Sequence, residues 1–300
     1  MSTVIKKVAI TGAAGDLGTV VFDKLVRSGK FDIRVLRRFG SKSTFPESTD
    51  VVDVDFDSFD SLKSALVGQD AIVSTVGYSG LQSQLTLIDA AAAAGVKRII
   101  PSDFGANLDN PKTRQLPVFG DKVKAQEHVS DKSKTTDLTY TLVYNNAFLD
   151  WGLEHDFILR ISDAKPVIID GGDLPFSATT LGSVADAVVG ILTRPEETKN
   201  RSVRIHDIVT SQNQLLALAK KVAPGKSWEV VPVKLDDLTV AADARLAKGI
   251  YDVETFAPYL SRATLDPGFG GKFDTTDNEL LGVKGVSEDE VTQILKKILN

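Results

Sequence analysis

The 300-residue chain has no cysteine. Disulfides, thiolate nucleophiles and cysteine-ligated zinc are therefore excluded. Histidine is scarce: His128, His155 and His206 stand alone and far apart, so no metal site is expected. Long apolar runs are missing as well. The alanine run at 90–94 is far too short to span a bilayer, so no membrane partner is expected. The residues after Met1 contain no signal-peptide core, and a cytoplasmic location is the expectation. An excess of positive charge is also lacking. A formal net charge of -5 offers no basic field to hold nucleic acid. What is present is ordinary for a soluble globular protein, with 42% hydrophobic and 25% charged residues. The length suffices for one large domain or two modest ones.

The first half alternates short apolar runs with helical periods. Strands are expected over 4–10, 33–36, 51–54, 71–75, 98–101 and 139–144. Helices are expected over 16–28, where Leu17, Val20, Val21 and Leu25 share a face, then behind Ser58, and over 84–94. This rhythm denotes βαβ units and a doubly wound parallel α/β sheet of the Rossmann type, with its ligand at the carboxyl ends of the strands. Beyond about residue 155 the rhythm loosens. Strands at 166–169 and 229–233 and helices at 184–192, after Ser211, and after Ser287 remain visible, while 244–285 shows few clear periods. The expected division is a dinucleotide-binding domain over 1–155, to which part of 180–210 returns, and a smaller mixed substrate domain over 156–300.

Between the first strand and the first helix stands Thr11-Gly12-Ala13-Ala14-Gly15-Asp16-Leu17-Gly18. In that setting Gly12 makes the tight turn, Gly15 admits a diphosphate close to the backbone, and Gly18 lets the helix pack on the sheet. The helix amides and their positive dipole end complete an anion seat formed by Thr11, Gly12, Ala14, Gly15, Asp16, Leu17 and Gly18. Asp16 carries the wrong sign for this seat and is expected to point outward or to cap the helix. The second strand ends Arg37-Arg38, with Lys42 following, where an NAD site would carry an acid. Guanidinium groups there favour a 2′-phosphate and hence NADPH. Arg38 is the stronger candidate, because consecutive strand residues face opposite ways. Asp55 and Phe56 after the third strand are placed to flank adenine. Thr75, Val76 and Gly77 after the fourth let backbone pass beside the cofactor.

The usual Tyr-x-x-x-Lys catalytic pair of short-chain dehydrogenases is absent. Four residues after Tyr78, Tyr140, Tyr144, Tyr251 and Tyr259 stand Gln82, Tyr144, Phe148, Thr255 and Ala263. Other segments carry a resemblance instead: "STVG" at 74–77, "LIDAA" at 87–91, "GVKRIIPSDFG" at 95–105, "VFGDK" at 118–122, "YTLVYNNAF" at 140–148 and "GVKGVSEDEV" at 282–291. With the glycine loop they resemble the isoflavone-reductase-like branch of the NmrA-like atypical short-chain dehydrogenases, over nearly the whole chain. The resemblance implies a lysine as acid/base, at the position of Lys122, with Lys124 as competitor. It also implies that Asn146 and Phe148 lie by the nicotinamide and that Ser102, Phe104, Lys122 and Asn145 belong to the cofactor site. Ala106, Tyr144 and Trp151 depart from the plant pattern at the substrate end, so the plant substrates do not carry over.

Two functions fit. One is an NADPH-dependent reductase of a small aromatic or enone-type molecule. The other is an NmrA-like regulator that senses NADP(H) without turnover. Lys122 and a second half long enough to form a pocket favour the enzyme. The sequence leaves the oligomeric state open.

Overall fold

In the stretch Lys7–Thr11 every residue after Lys7 is buried, as befits a strand covered on both faces of a sheet. The computed structural model describes residues 3–299 and places this strand, β1, at the centre. A glycine turn leads into α1 (Asp16–Ser28), followed by β2 (Asp32–Arg38), β3 (Asp50–Val54), α2 (Phe59–Leu66), β4 (Ala71–Ser74), α3 (Gln84–Ala93) and β5 (Arg98–Ile100). A short helix α4 (Pro111–Arg114), then α5 (Gly120–Thr135) and β6 (Thr139–Tyr144), complete the first half. The second half contains β7 (Ala147–Phe148), α6 (Leu149–Glu154), β8 (Val167–Ile169), β9 (Phe176–Thr179), α7 (Leu181–Thr193), α8 (Pro195–Thr198) and β10 (Arg201–Arg204). It continues through β11 (Ile208–Thr210), α9 (Gln212–Val222), β12 (Val231–Val233), α10 (Leu235–Leu246), α11 (Val253–Leu265), α12 (Asn278–Leu281) and α13 (Glu288–Leu299).

The main sheet has the order β3-β2-β1-β4-β5-β6-β10, and every neighbouring pair is parallel. This is the doubly wound α/β fold that the strand–helix rhythm predicts. One face buries Val8, Ile10, Val73 and Val143 under α1 and α7. The other buries Ala9, Leu36, Ile72 and Ile99 under α2, α3 and α5. Alternating strand residues thus serve opposite layers. The strand order reverses between β1 and β4, which opens the ligand crevice beyond their carboxyl ends, at Gly12 and Thr75.

Two elements of the doubly wound unit, one helix and one strand, come from the second half of the chain. α7 packs against α1, and β10 closes the sheet beside β6. β10 reads Arg-Ser-Val-Arg with only Val203 buried, so its sequence carries little of the apolar signal of a covered strand. Others, among them α6, β8, β9, α9 and α13, form their own core around Leu149, Leu153, Phe176, Leu215 and Leu295. In the region of few periods lie the end of α10 and the whole of α11. α10 buries only Leu235 and Ala242, and α11 carries Pro258 inside it, so neither shows a clean stripe. Phe256 and Tyr259 of α11 pack with Phe119 and Tyr144, roofing the crevice.

Gly18 fixes how α1 meets the sheet. A Cβ there would stand 1.9 Å from the Gly12 carbonyl oxygen and 2.8 Å from Thr75 Oγ1. Gly18→Ala is therefore expected to destabilise the fold by at least about 1–3 kcal/mol, as overpacking does. Thermal unfolding checks this, and a variant as stable as the parent would contradict the packing described.

Candidate functional site

The crevice begins at the glycine turn. Gly12 adopts a left-handed φ of 77°, and Gly15 N–H donates to its carbonyl at 3.0 Å. Gly15 is the N-cap of α1, and no side chain caps the helix. The first-turn amides of α1 are thus left without a side-chain partner. Thr11 Oγ1, buried beside them, has no partner either. Asp16 does not obstruct this seat. It is exposed, and its Oδ2 accepts a bond from Trp151 Nε1 at 2.7 Å, tying the loop to α6.

Two cavities open on either side of the turn. One, of about 220 Å³, is lined by Thr11, Gly12, Ala14, Gly15, Arg37, Arg38, Ser41, Ser43, Phe56, Val76 and Gly77. The other, of about 450 Å³, shares Gly15, Val76 and Gly77 and adds Asp16, Leu17, Thr75, Ser102, Phe104, Lys122 and Phe148. Its remaining walls are mostly apolar: Tyr78, Leu81, Val118, Phe119, Trp151, Leu181 and Leu260. The two cavities thus adjoin at the glycine turn, with Gly15, Val76 and Gly77 in the walls of both.

The two arginines at the first cavity differ in their engagement. Arg37 is held in a fork by Asp53, with Nε–Oδ1 at 2.6 Å and Nη2–Oδ2 at 2.9 Å, and donates through Nη1 to Ser43 O. Arg38 lies over the Phe56 ring, 5.3 Å from its centroid. The alternation of the strand has sent one guanidinium to a carboxylate and the other to the cavity's aromatic wall. Lys42 is exposed and lies outside the lining, although Ser41 and Ser43 beside it are part of it. Asp55 is also exposed and outside, its Oδ1 accepting from Asp57 N–H at the approach to α2.

At the second cavity the turn after β5 meets the start of α5. Lys122 Nζ donates to the Phe104 carbonyl at 2.7 Å. Loss of water around the ammonium lowers its pKa from the usual 10.5, and the neighbouring Asp103 opposes that shift. Lys124 faces away and pairs with Asp121 at 3.1 Å. Asp103 is buried, with Oδ2 accepting from Gln126 Nε2 at 2.6 Å and Oδ1 without a partner. Burial pushes its carboxyl up to about 7, against the pull of Lys122.

Asn145 and Asn146 line neither cavity. Both are buried, and both backbone amides donate to Gly105 O, at 3.1 and 2.8 Å. Asn146 adopts a left-handed φ of 49° and donates through Nδ2 to Ser177 O. They brace the turn that carries Phe104 from behind. Other parts of the site were not assigned from sequence. Gln126 sits four residues after Lys122, a helical spacing that places both on one face, and this signal was available. Leu181 and Leu260 arrive from α7 and α11, and no local pattern marks them.

A family profile described as the NmrA-like family matches residues 5–270. The chain belongs to the NmrA-like family. Among its relatives is oxidoreductase poxI of Penicillium oxalicum, 32% identical over 293 residues, covering 93% of this chain and 90% of that protein. Oxidoreductase aprR of Aspergillus flavus is 33% identical over 299 residues, covering 97% and 99%. A solved structure described as AtPrR2 with NADP+ and (+)pinoresinol superposes with a TM-score of 0.78 at 19% identity, over all of both chains. At that identity it shows the shared fold.

In this NmrA-like protein the pKa of Asp103 lies above its usual 3.8, so the folded state holds that proton more tightly than the unfolded chain does. Ionisation of Asp103 therefore withholds stability, increasingly as pH rises from about 4 through about 7, by an amount on the order of a few kcal/mol. Asp103→Asn keeps the acceptor for Gln126 and removes the charge. Relative to the parent it is expected to gain stability between about pH 4.5 and about pH 8. Denaturant unfolding at both pH values checks this, and a pH-independent difference would contradict it.

Proposed function

We propose that this NmrA-like protein is an NADPH-dependent reductase of a small aromatic or enone-type substrate, with Lys122 as general acid/base. The observation that carries the reading is the presentation of Lys122 to a cavity that starts at the glycine turn and has mostly apolar and aromatic walls. The oxidoreductase names of its relatives and the NADP+ in its structural neighbour support the same chemistry. In this reading residues 1–155, joined by α7 and β10, hold the dinucleotide in a cytoplasmic enzyme, and the rest of 156–300 covers the substrate.

When bound, NADPH supplies the hydride. The uncapped amides of α1 receive its diphosphate, and the unpartnered Thr11 hydroxyl is available beside them. Arg38, over Phe56 and near Ser41 and Ser43, is the guanidinium offered to a 2′-phosphate, while Arg37 remains with Asp53. Phe104, Phe119, Phe148 and Trp151 exclude water and offer flat faces to a ring. Lys122, oriented by the Phe104 carbonyl, holds or accepts the proton at Nζ on the substrate side.

Two variants test the reading. Lys122→Ala is expected to lower kcat/KM by about 10²- to 10⁴-fold in NADPH oxidation with a panel of phenolic and enone compounds. Normal turnover in that variant would remove the role of Lys122. A parent protein that binds NADPH tightly yet never oxidises it would favour the NADP(H)-sensing alternative. Arg38→Ala is expected to weaken NADPH binding about tenfold or more and NADH far less, since only the former carries the phosphate. Equal losses in calorimetric titrations would contradict the contact.

A further inference from the structure

Behind Lys122 lies a second acid that the reductase reading leaves without a role. Asp103 is 2% exposed and is not part of the cavity wall. With one carboxyl oxygen unpartnered, it is an acid that resists ionisation. A residue of this kind lowers stability, and its place beside a reactive amine points to function.

The surrounding bonds fix it there. Lys122 and Gln126 lie one turn apart on α5. Gln126 holds the carboxylate of Asp103, and Lys122 holds the carbonyl of Phe104, the next residue. One helix face and one turn thus carry the acid and the amine together. The Gln126 amide cannot reverse. Its Oε1 accepts from Arg114 Nη1 at 2.6 Å, and its Nε2 donates to Asp103 and, at 3.2 Å, to the Tyr144 hydroxyl. That hydroxyl donates in turn to Asp109 at 3.1 Å, and Asp109 is held by Arg204 and Ser202.

We propose that Asp103 is a positioning residue: clamped by Gln126, it sets the charge of Lys122 without touching the substrate. The role rests on the reading of Lys122 as acid/base. Ionised, the carboxylate holds Lys122 as an ammonium, the acid form. Protonated, it releases that hold, and Lys122 more readily becomes the amine, the base form. Around Asp103 stand Asp109 from the loop before α4, Arg114 from α4 and Tyr144 from β6, and Asp16 and Tyr78 share the cavity wall with Lys122. Asp109 disfavours the Asp103 charge and Arg114 favours it.

Competitive acetylation of the intact protein with acetic anhydride, quantified at Lys122 by mass spectrometry across pH, reads this charge without any turnover. Asp103→Asn is expected to move the Lys122 midpoint to lower pH by about one unit. Lys124, beside Asp121, should keep its own midpoint. Asp103→Glu is expected to stay close to the parent. Gln126→Leu removes the clamp, disfavours the Asp103 charge and is expected to shift Lys122 in the same direction, which covers the case of an unstable Asn variant. An unmoved Lys122 midpoint in the folded variants overturns the proposal. If Lys122→Ala is inactive while the midpoints stay fixed, the role of Asp103 fails alone. If Lys122→Ala turns over normally while the midpoints move, the acid/base role of Lys122 fails and the control of its charge by Asp103 stands.

Discussion

The contact of Gly18 with the backbone of Gly12 governs the rest of the site. No side chain separates the first turn of α1 from the ends of β1 and β4. Those strand ends are joined across the reversal point, where Thr75 donates to Thr11 O through both its amide, at 2.9 Å, and its hydroxyl, at 2.8 Å. The helix therefore enters the crevice with its amides aimed at the place where the two cavities meet. A larger residue at position 18 would tilt the helix and the glycine turn together. The same closeness explains why the turn itself is formed by glycine: Gly12 needs its left-handed φ and leaves no room for a Cβ against Thr75.

Around that turn, opposed charges are separated by geometry. Asp16 would repel an anion if it faced inward, and the Trp151 indole holds it outward. Arg37 and Arg38 are adjacent in sequence and both line the first cavity, yet Arg37 is paired with Asp53 while Arg38 lies over the Phe56 ring. At the far end a half-buried amine, Lys122, stands near a buried acid, Asp103. Each is pushed by burial toward its neutral form and drawn by the other toward its charged one. Burial and mutual attraction thus act in opposite directions on the same pair.

Much of the sheet was legible because its signal is local. β1 to β6 announce themselves through short apolar runs between glycines and helix caps, and the glycine turn through its spacing. Lys122 was reached through resemblance, since nothing in its own helix distinguishes it from Lys124. The structure separates the two by direction, one toward the Phe104 carbonyl and the other toward Asp121. β10 was not legible as a strand because an edge strand needs only one covered face. α11 was obscured by its internal proline, and its role as a roof depends on contacts with Phe119 and Tyr144 more than a hundred positions earlier in the chain.

The sequence by itself determined the parallel sheet, the turn at Gly12–Gly18 and the basic end of β2, because each depends on residues within a few positions of one another. The tertiary structure decided which of those residues share a space. It turned Asn145 and Asn146 away from the cavities to brace Gly105, brought Leu181 and Leu260 to the cavity wall, and set Asp103 behind Lys122 under the grip of Gln126. Such assignments depend on where distant segments cross and on how much water they exclude, and periodicity along a chain carries neither.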